Sequence, residues 1–130
     1  MKYPSKEQIV FLHQELIRTS GGLNGIRDEG VLDSAVFSPL QSFDGQDLYP
    51  GLIDKASRLA FGLISNHPFI DGNKRVGTHA MLLLLYLNDM ELAYEDEDLI
   101  QIILRIAAGE AEEEDLHDWI TGHIIDDKRK

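Results

Sequence analysis

The sequence predicts an all-α fold, a compact helical domain that carries one small β-hairpin or loop flap. Two observations indicate this class. Apolar residues recur at helical spacing in six segments, and residues 38–50, which have no helical period, contain the turn-forming pair Asp44-Gly45. The length of 130 residues, with 43% hydrophobic and 27% charged residues, fits a single domain over residues 1–130.

Two helices are predicted before the flap segment. Ser5 and Gln8 have the spacing of a capping box, which places the first helix at about residues 5–19. The second helix is predicted at residues 28–37, DEGVLDSAVF, because acidic residues near its start favour a helix N-terminus. Pro39 is expected to stop this helix.

Four further helices are predicted after the flap segment. The fourth is apolar nearly all round from residue 81 to residue 87, which predicts that it is the central, buried helix. The residues expected to cover the core from the sixth helix are Trp119, Ile120, Ile124 and Ile125. The predicted ranges run from Pro50 or Gly51 to Asn66, from Asn73 to about Asn88, from about 96 to 108 and from about 112 to 125.

The composition limits the functions of the chain. A formal net charge of -11 disfavours direct binding to nucleic acid, which needs a basic surface. The absence of cysteine excludes disulfides, thiolate catalysis and cysteine-based zinc sites. The N-terminus lacks the apolar core of a signal peptide, and no apolar run is long enough to span a bilayer. A cytoplasmic protein without a membrane partner is therefore expected.

One nine-residue stretch, HPFIDGNKR at positions 67–75, places many ionisable residues directly before the most apolar segment. The predicted helix start at Asn73 offers unpaired N–H groups and a partial positive charge, which favour phosphate. Gly72 allows a ligand to approach the backbone closely, while Lys74 and Arg75 add full positive charges. The stretch is therefore a candidate phosphate-binding site.

Two other side chains in this stretch have the chemistry of catalysis. Asp71 offers the oxygen ligands that Mg²⁺ prefers, and His67 can act as a general base near neutral pH. The alternative is a capped helix start with solvated charges, and the pattern alone does not separate the two. The other histidines lack metal-site spacing or a companion motif and are expected to be structural or solvated: His13, His79, His117 and His123.

The nine residues resemble the signature of the Fic/Doc superfamily, H-x-F-x-[D/E]-G-N-x-R. The matching positions are His67, Phe69, Asp71, Gly72, Asn73 and Arg75. The segment GIRDEGVLDSAVFSP at residues 25–39 is similar to the death-on-curing (Doc) branch of this family, and the resemblance covers residues 3 to about 120. It implies an all-α fold around a motif loop at 67–75, with residues 38–50 as a flap that docks the target.

The resemblance also implies roles for the matching residues. His67 would take the proton from a target hydroxyl, and Asp71 would hold Mg²⁺. Gly72 and Asn73 would form an anion nest for ATP. The complete set of implied ATP-binding residues is Gly72, Asn73, Lys74 and Arg75.

Lys74 and Thr78 stand where the AMP-transferring Fic pattern has Gly and Arg. Lys at this position is typical of the Doc branch, in which ATP binds in reverse with its γ-phosphate toward the target. The resemblance therefore implies a toxin that acts as a protein kinase on a threonine, in Doc itself one of elongation factor Tu, and arrests translation. Two alternatives stay open: AMP transfer from ATP to a protein hydroxyl, and an inactive Fic-like binding module.

Regulation within this chain is not expected. Self-inhibited Fic proteins carry a helix with the pattern [S/T]-x-x-x-E-[G/N], whose Glu competes for the motif Arg. Glu29 is the only Glu followed by Gly or Asn here, and Gly25 stands four residues earlier in place of Ser or Thr. The resemblance therefore implies restraint in trans by a small antitoxin protein.

Overall fold

The computed structural model describes residues 1–127 as six α-helices and two small two-stranded sheets. The helices are α1 (Lys6–Ser20), α2 (Glu29–Phe37), α3 (Leu52–Asn66), α4 (Asn73–Leu87), α5 (Asp96–Ala107) and α6 (Glu113–Gly122). The strands are β1 (Ser42–Phe43), β2 (Gln46–Asp47), β3 (Met90–Leu92) and β4 (Ile124–Asp127). The predicted all-α class with a small hairpin is confirmed. Residues 128–130 of the predicted domain lie outside the described residues.

The starts of the first two helices are fixed by side-chain caps. The backbone N–H of Gln8 donates to Oγ of Ser5 at 3.1 Å, and the Ser5 N–H donates to Oε1 of Gln8 at 2.8 Å. This reciprocal pair is the capping box that the sequence predicts. At the start of α2, Oδ1 of Asp28 accepts from the N–H of Val31 at 3.1 Å. Both caps pair N–H groups that the first helical turn leaves free.

The hydrophobic core is built around α3, which packs against α2, α4, α5 and α6. Its buried apolar residues have the predicted spacing: Leu52, Ala56, Leu59, Ala60, Leu63 and Ile64. Gly77 lets α4 lie close to α3, since a Cβ there would stand 2.6 Å from Cγ1 of Ile64. The sequence predicts α4 as the central helix, but Tyr86 near its end is 77% exposed. The central position belongs to α3, because partners pack on more of its surface.

The flap segment contains the hairpin that the Asp44-Gly45 pair predicts. Strands β1 and β2 are antiparallel, and both turn residues have positive φ, 53° at Asp44 and 78° at Gly45. Such a pair of left-handed residues matches the twist of a tight hairpin. The hairpin is tied to α3 by Lys55, a buried lysine whose Nζ donates to the Tyr49 carbonyl and lies 3.4 Å from Oδ2 of Asp47.

The predicted end of the sixth helix is wrong. Helix α6 ends at Gly122, and the following residues form β4, which pairs with β3 through Leu92 and Ile124. Ile120 is fully buried as predicted, but Ile125 is 65% exposed and does not cover the core. The β-branched pair Ile124-Ile125 favours a strand once a partner is present. That partner lies more than 30 residues away in the sequence, so local periodicity does not reveal it.

Candidate active site

The predicted motif occupies the loop between α3 and α4, which has a left-handed residue at each end. Asn66 ends α3, and His67 follows with φ 50° and ψ 58°. Gly72 caps α4 with φ 76° and ψ 19°, and Asn73 is the first helical residue, as predicted. The two left-handed residues turn the chain so that His67 and the first turn of α4 border the same cavity.

This cavity has a volume of about 430 Å³ and brings together all the site residues that the sequence predicts. Its lining consists of His67, Asp71, Gly72, Asn73, Lys74 and Arg75, with Ile70 and Ala107. The sequence predicts neither Ile70 nor Ala107 as a site residue, because Ile70 offers no catalytic group and Ala107 lies at the end of α5, far from the motif in the chain. A larger cavity, about 560 Å³, lies beside α6 and contains none of the predicted site residues.

The side chain of Asn73 is committed to the loop itself. It is 8% exposed, and its Oδ1 accepts from the N–H of Phe69 at 2.9 Å. Its Nδ2 donates to the carbonyl of Phe69 at 3.0 Å. These two hydrogen bonds close residues 69–73 into a fixed turn. It leaves the backbone N–H of Asn73 for the predicted anion nest.

His13 supports the same turn from α1. Its ring stacks on Phe69 with ring centroids 3.8 Å apart and planes inclined by 10°. Its Nε2 lies 2.6 Å from the carbonyl oxygen of Asp71. Since a carbonyl only accepts, Nε2 carries the proton and donates. His13 is 1% exposed, so the structural role predicted for it is confirmed.

The Asp71 carboxylate is held by two backbone N–H groups. Leu23 donates to Oδ2 at 3.2 Å, and Gly72 donates to Oδ1 at 2.8 Å. These bonds, that of Leu23 first, hold the pKa of Asp71 below its ordinary value, and the charge of Arg75 adds to them. The group is therefore ionised at neutral pH and keeps lone pairs for a ligand. Within residues 1–127 no set of three or more His, Cys, Asp or Glu residues could hold a metal by itself.

The two basic residues of the motif differ in their surroundings. Lys74 is exposed on the first turn of α4. Arg75 lies over the end of α1, where its Nη1 donates to the carbonyl of Gly21 at 2.7 Å. Gly22 makes room for this arrangement. A Cβ at Gly22 would stand 2.7 Å from Oδ2 of Asp71 and 2.9 Å from Nη2 of Arg75.

Residues 21–28, called the glycine loop here, form a support that the sequence did not reveal. This loop provides the Leu23 N–H and the Gly21 carbonyl described above, and the Gly25 carbonyl accepts from Ile70 N–H at 3.0 Å. Ile26 and Phe69 form an isolated antiparallel bridge. The Gly-rich composition GGLNG predicts a loop. It does not indicate that the loop pairs with the motif more than 40 residues later.

The remaining histidines do not line the motif cavity. Nε2 of His117 is 3.0 Å from Oδ1 of Asp54, and the ring of His123 stacks on Trp119 with centroids 4.1 Å apart. His79 is exposed on α4. These surroundings agree with the predicted structural or solvated roles.

Comparison with known proteins identifies the family. The profile of the Fic/DOC family matches residues 3–85, which include the motif loop and most of α4. The chain belongs to the Fic/DOC family. A 73-residue segment is 44% identical to the "Toxin Doc" of Mycolicibacterium smegmatis and covers 56% of each chain. Over 110 residues the chain is 26% identical to the "Protein kinase doc" of Escherichia phage P1, covering 85% of this chain and 86% of that relative.

These two Fic/DOC relatives are matched to different extents. The matched segment spans a little over half of the mycobacterial protein and most of the phage protein. Helices α5 and α6 lie outside the residues that the family profile matches. The family assignment therefore rests on α1 to α4 and on the loop that holds the motif.

Proposed function

We propose that this protein is a Doc-type toxin that transfers the γ-phosphate of ATP to a hydroxyl group of a protein target. The observation that carries this proposal is the cavity in which His67, Asp71 and the first turn of α4 meet. The printed names of the two relatives, a toxin and a protein kinase, support the same activity. Phosphoryl transfer depends mainly on positioning and charge neutralisation, and the cavity offers groups for both.

The first proposed step is removal of a proton from the target hydroxyl by His67. His67 is exposed at the cavity, so a protein side chain reaches its ring from solvent. The hydroxyl oxygen then forms a bond to the γ-phosphorus. The bond from the γ-phosphorus to the bridging oxygen breaks, ADP leaves, and the proton stays on the imidazole until solvent removes it. A general base of this kind contributes about 10²–10⁴-fold to a rate.

The phosphates are proposed to bind at the start of α4. The first turn of a helix leaves N–H groups unpaired, and the helix dipole favours anions there. Lys74 extends from this turn into solvent, and Arg75 uses one of its five N–H donors on Gly21, which leaves four for phosphate oxygens. These groups supply local positive charge on a chain whose net charge is -11.

Asp71 fits the role of a Mg²⁺ ligand. It is ionised, borders the cavity and has its carboxylate oriented by two backbone bonds. Protein sites for Mg²⁺ with nucleotides commonly use one or two carboxylates, with substrate phosphates and water completing the shell. A bound Mg²⁺ would neutralise phosphate charge. A single carboxylate therefore suffices, and a larger acidic cluster is not required.

The target and the regulator are proposed from the resemblance of the motif to the Doc branch. The target is a threonine of elongation factor Tu, and an antitoxin protein restrains the toxin in trans. The flap hairpin would dock the target, and it presents Phe43 at 77% exposure. Among the described residues no helix has the length and apolar character needed to cross a membrane. We propose a cytoplasmic site of action, where translation takes place.

AMP transfer is the second candidate, and Lys74 is the residue that bears on it. The AMP-transferring pattern has Gly there, and a side chain at this position takes up space beside the first turn of α4. Thr78, where that pattern has Arg, donates instead to the carbonyl of Lys74 at 2.7 Å. One phosphate-binding cation is thus replaced by a side chain bonded within the helix. An inactive binding module is the third candidate, and the presence of His67, Asp71 and Arg75 argues against it.

The toxin half of this proposal is tested by controlled expression in a bacterial host. Wild-type protein should stop incorporation of a labelled amino acid into protein, and His67→Ala should not. His117→Ala is the matched control, because His117 lies on α6 away from the motif cavity. Continued protein synthesis with wild-type protein present at the same level as the variants would contradict the proposed toxin activity.

A further inference from the structure

The end of α3 receives an unusual cap from a distant side chain. The last carbonyl groups of a helix have no partner within the helix. Here the guanidinium of Arg27, in the glycine loop, reaches two consecutive carbonyls of this kind. Its Nε donates to the carbonyl of His67 at 2.5 Å, and its Nη2 donates to the carbonyl of Asn66 at 2.9 Å. The positive charge also lies at the negative end of the α3 dipole, where cations are favoured.

The backbone of Arg27 and Asp28 bonds to the next carbonyl of the motif loop. The N–H groups of Arg27 and Asp28 both donate to the carbonyl of Pro68, at 2.8 and 3.1 Å. Three consecutive carbonyls, those of Asn66, His67 and Pro68, are therefore bonded to Arg27 or its neighbour. These are the carbonyls on both sides of the His67 α-carbon and the next one along the chain. The backbone of His67 is thus fixed from outside its own helix.

The backbone conformation of His67 explains why such fixing is needed. A φ of 50° at a residue with a Cβ is unfavourable, and it persists only where surrounding contacts hold it. The direction of the imidazole depends on this φ. Phe69, which is buried, and Asn73 anchor the loop after His67, but neither bonds to the Asn66 or His67 carbonyl. Arg27 provides these two bonds.

We propose that Arg27 is a positioning residue that holds His67 in the left-handed conformation from which its ring reaches the target hydroxyl. This inference rests on the proposed function in one respect, the role of His67 as the base. Arg27 itself touches neither substrate nor nucleotide in this account, and it acts through two hydrogen bonds to backbone carbonyls. Its loss should therefore lower the rate of transfer without weakening the binding of ATP.

The test compares Arg27→Ala, Arg27→Lys and a matched control, Arg18→Ala. Arg18 is an exposed arginine of α1 whose guanidinium bonds to Glu15, within the same helix. A displacement of about 1 Å in a catalytic group costs up to about 100-fold in rate, so Arg27→Ala should lower kcat about 10- to 100-fold. The KM for ATP should stay within about threefold of wild type if ATP binding is unaffected. The kcat of Arg27→Lys, which has one compact donor group, should lie between those of wild type and Arg27→Ala.

Two further readouts separate positioning from a general loss of structure. The three-bond coupling between the amide and α-protons of His67 reports φ directly, and it should change in Arg27→Ala and stay at the wild-type value in Arg18→Ala. Millimolar guanidinium ion should partly restore kcat in Arg27→Ala, because it replaces the missing donors. A merely destabilised protein would show no such gain, because guanidinium at this concentration replaces no lost packing and is too dilute to unfold the chain.

The outcomes distinguish the inference from the proposed function. If Arg27→Ala matches Arg18→Ala in kcat and in the His67 coupling, the inference is wrong, and the proposed function stands so long as His67→Ala is inactive. If wild-type protein transfers no phosphate from ATP, the proposed function is wrong, and if His67→Ala transfers phosphate at the wild-type rate, the role of His67 as the base is wrong. In both cases the coupling still decides whether Arg27 fixes the His67 backbone. If Arg27→Ala fails to fold, Arg27→Lys decides the question with the same two readouts.

Discussion

Replacing Asn73 with Ala should destabilise the protein by about 2–3 kcal/mol, because the Asn73 side chain fixes the motif turn. The change removes two hydrogen bonds to the backbone of Phe69, of 2.9 and 3.0 Å. The bond to the Phe69 carbonyl contributes about 1 kcal/mol net, and the buried Phe69 N–H, left without its partner, costs about 1–3 kcal/mol. The better helix propensity of Ala offsets at most about 0.7 kcal/mol of this. The net loss is therefore about 2–3 kcal/mol.

Urea denaturation followed by circular dichroism measures this loss. With a slope of about 2 kcal/mol per molar urea, the midpoint should fall by about 1–1.5 M. Asn24→Ala is the matched control, since Asn24 is an exposed residue of the glycine loop. Its midpoint should stay within about 0.25 M of wild type, which corresponds to the ±0.5 kcal/mol usual for surface changes. A loss of less than about 0.5 kcal/mol in the free energy of unfolding of Asn73→Ala would refute the reasoning. The side-chain amide of Asn73 would then be free to bind nucleotide.

Three further predictions concern the other groups of the site. Gly22→Ala should lower the rate of phosphate transfer about tenfold or more by displacing Asp71 and Arg75, since a 1 Å misplacement costs up to about 100-fold. Gly21→Ala controls for backbone strain alone, because Gly21 has a φ of 85° and open space around its Cβ position. Equal losses of rate in both variants would argue against displacement. The carboxyl pKa of Asp71, followed by NMR, should lie below the ordinary value of about 3.9. Because the folded pKa is depressed, the stabilisation from Asp71 should be present above about pH 4 and be lost as pH falls through the folded pKa, and an ordinary pKa would contradict the backbone bonds to its carboxylate. Lys74→Gly should weaken γ-phosphate transfer and admit AMP transfer when α-labelled ATP is supplied, whereas unchanged transfer would show that Lys74 is only a solvated helix residue.

The parts of the fold that the sequence predicts are those governed by local chemistry. Ser5 and Gln8 cap α1 through contacts within one turn, so their spacing alone is sufficient. Asp44-Gly45 adopts two left-handed conformations because few other residue pairs do so readily. The apolar spacing of α3 also appears directly in its buried face.

The parts that the sequence does not predict depend on contacts between distant segments. Strand β4 forms because Leu92 pairs with Ile124, and nothing near Ile124 in the sequence indicates this partner. α4 contains the longest apolar run, at residues 80–87, yet α3 lies at the centre, since the neighbours of a helix decide how much of it is buried. Periodicity reports that a face is apolar but not which element covers it.

The candidate site divides in the same way. The nine-residue motif placed its chemical groups correctly around one cavity, because they are adjacent in the chain and follow a helix start. The supports were missed: His13 on α1, and Leu23 and Arg27 in the glycine loop. His13 and Arg27 bond to backbone carbonyls of the motif, and Leu23 bonds to the Asp71 carboxylate through its own backbone N–H. A contact made through a backbone group leaves no mark on the sequence. The use of the Asn73 side chain within the turn was missed for the same reason.

The most direct test of the central claim is transfer of label from ATP to purified elongation factor Tu in the presence of Mg²⁺. Parallel reactions use ATP labelled at the α- or the γ-phosphate, with wild-type protein, His67→Ala and the control His117→Ala. The account predicts label on the target from the γ-position alone, with wild type and His117→Ala but not with His67→Ala. Label from the α-position would contradict the kinase and favour AMP transfer, and equal transfer by His67→Ala would remove His67 from the chemistry.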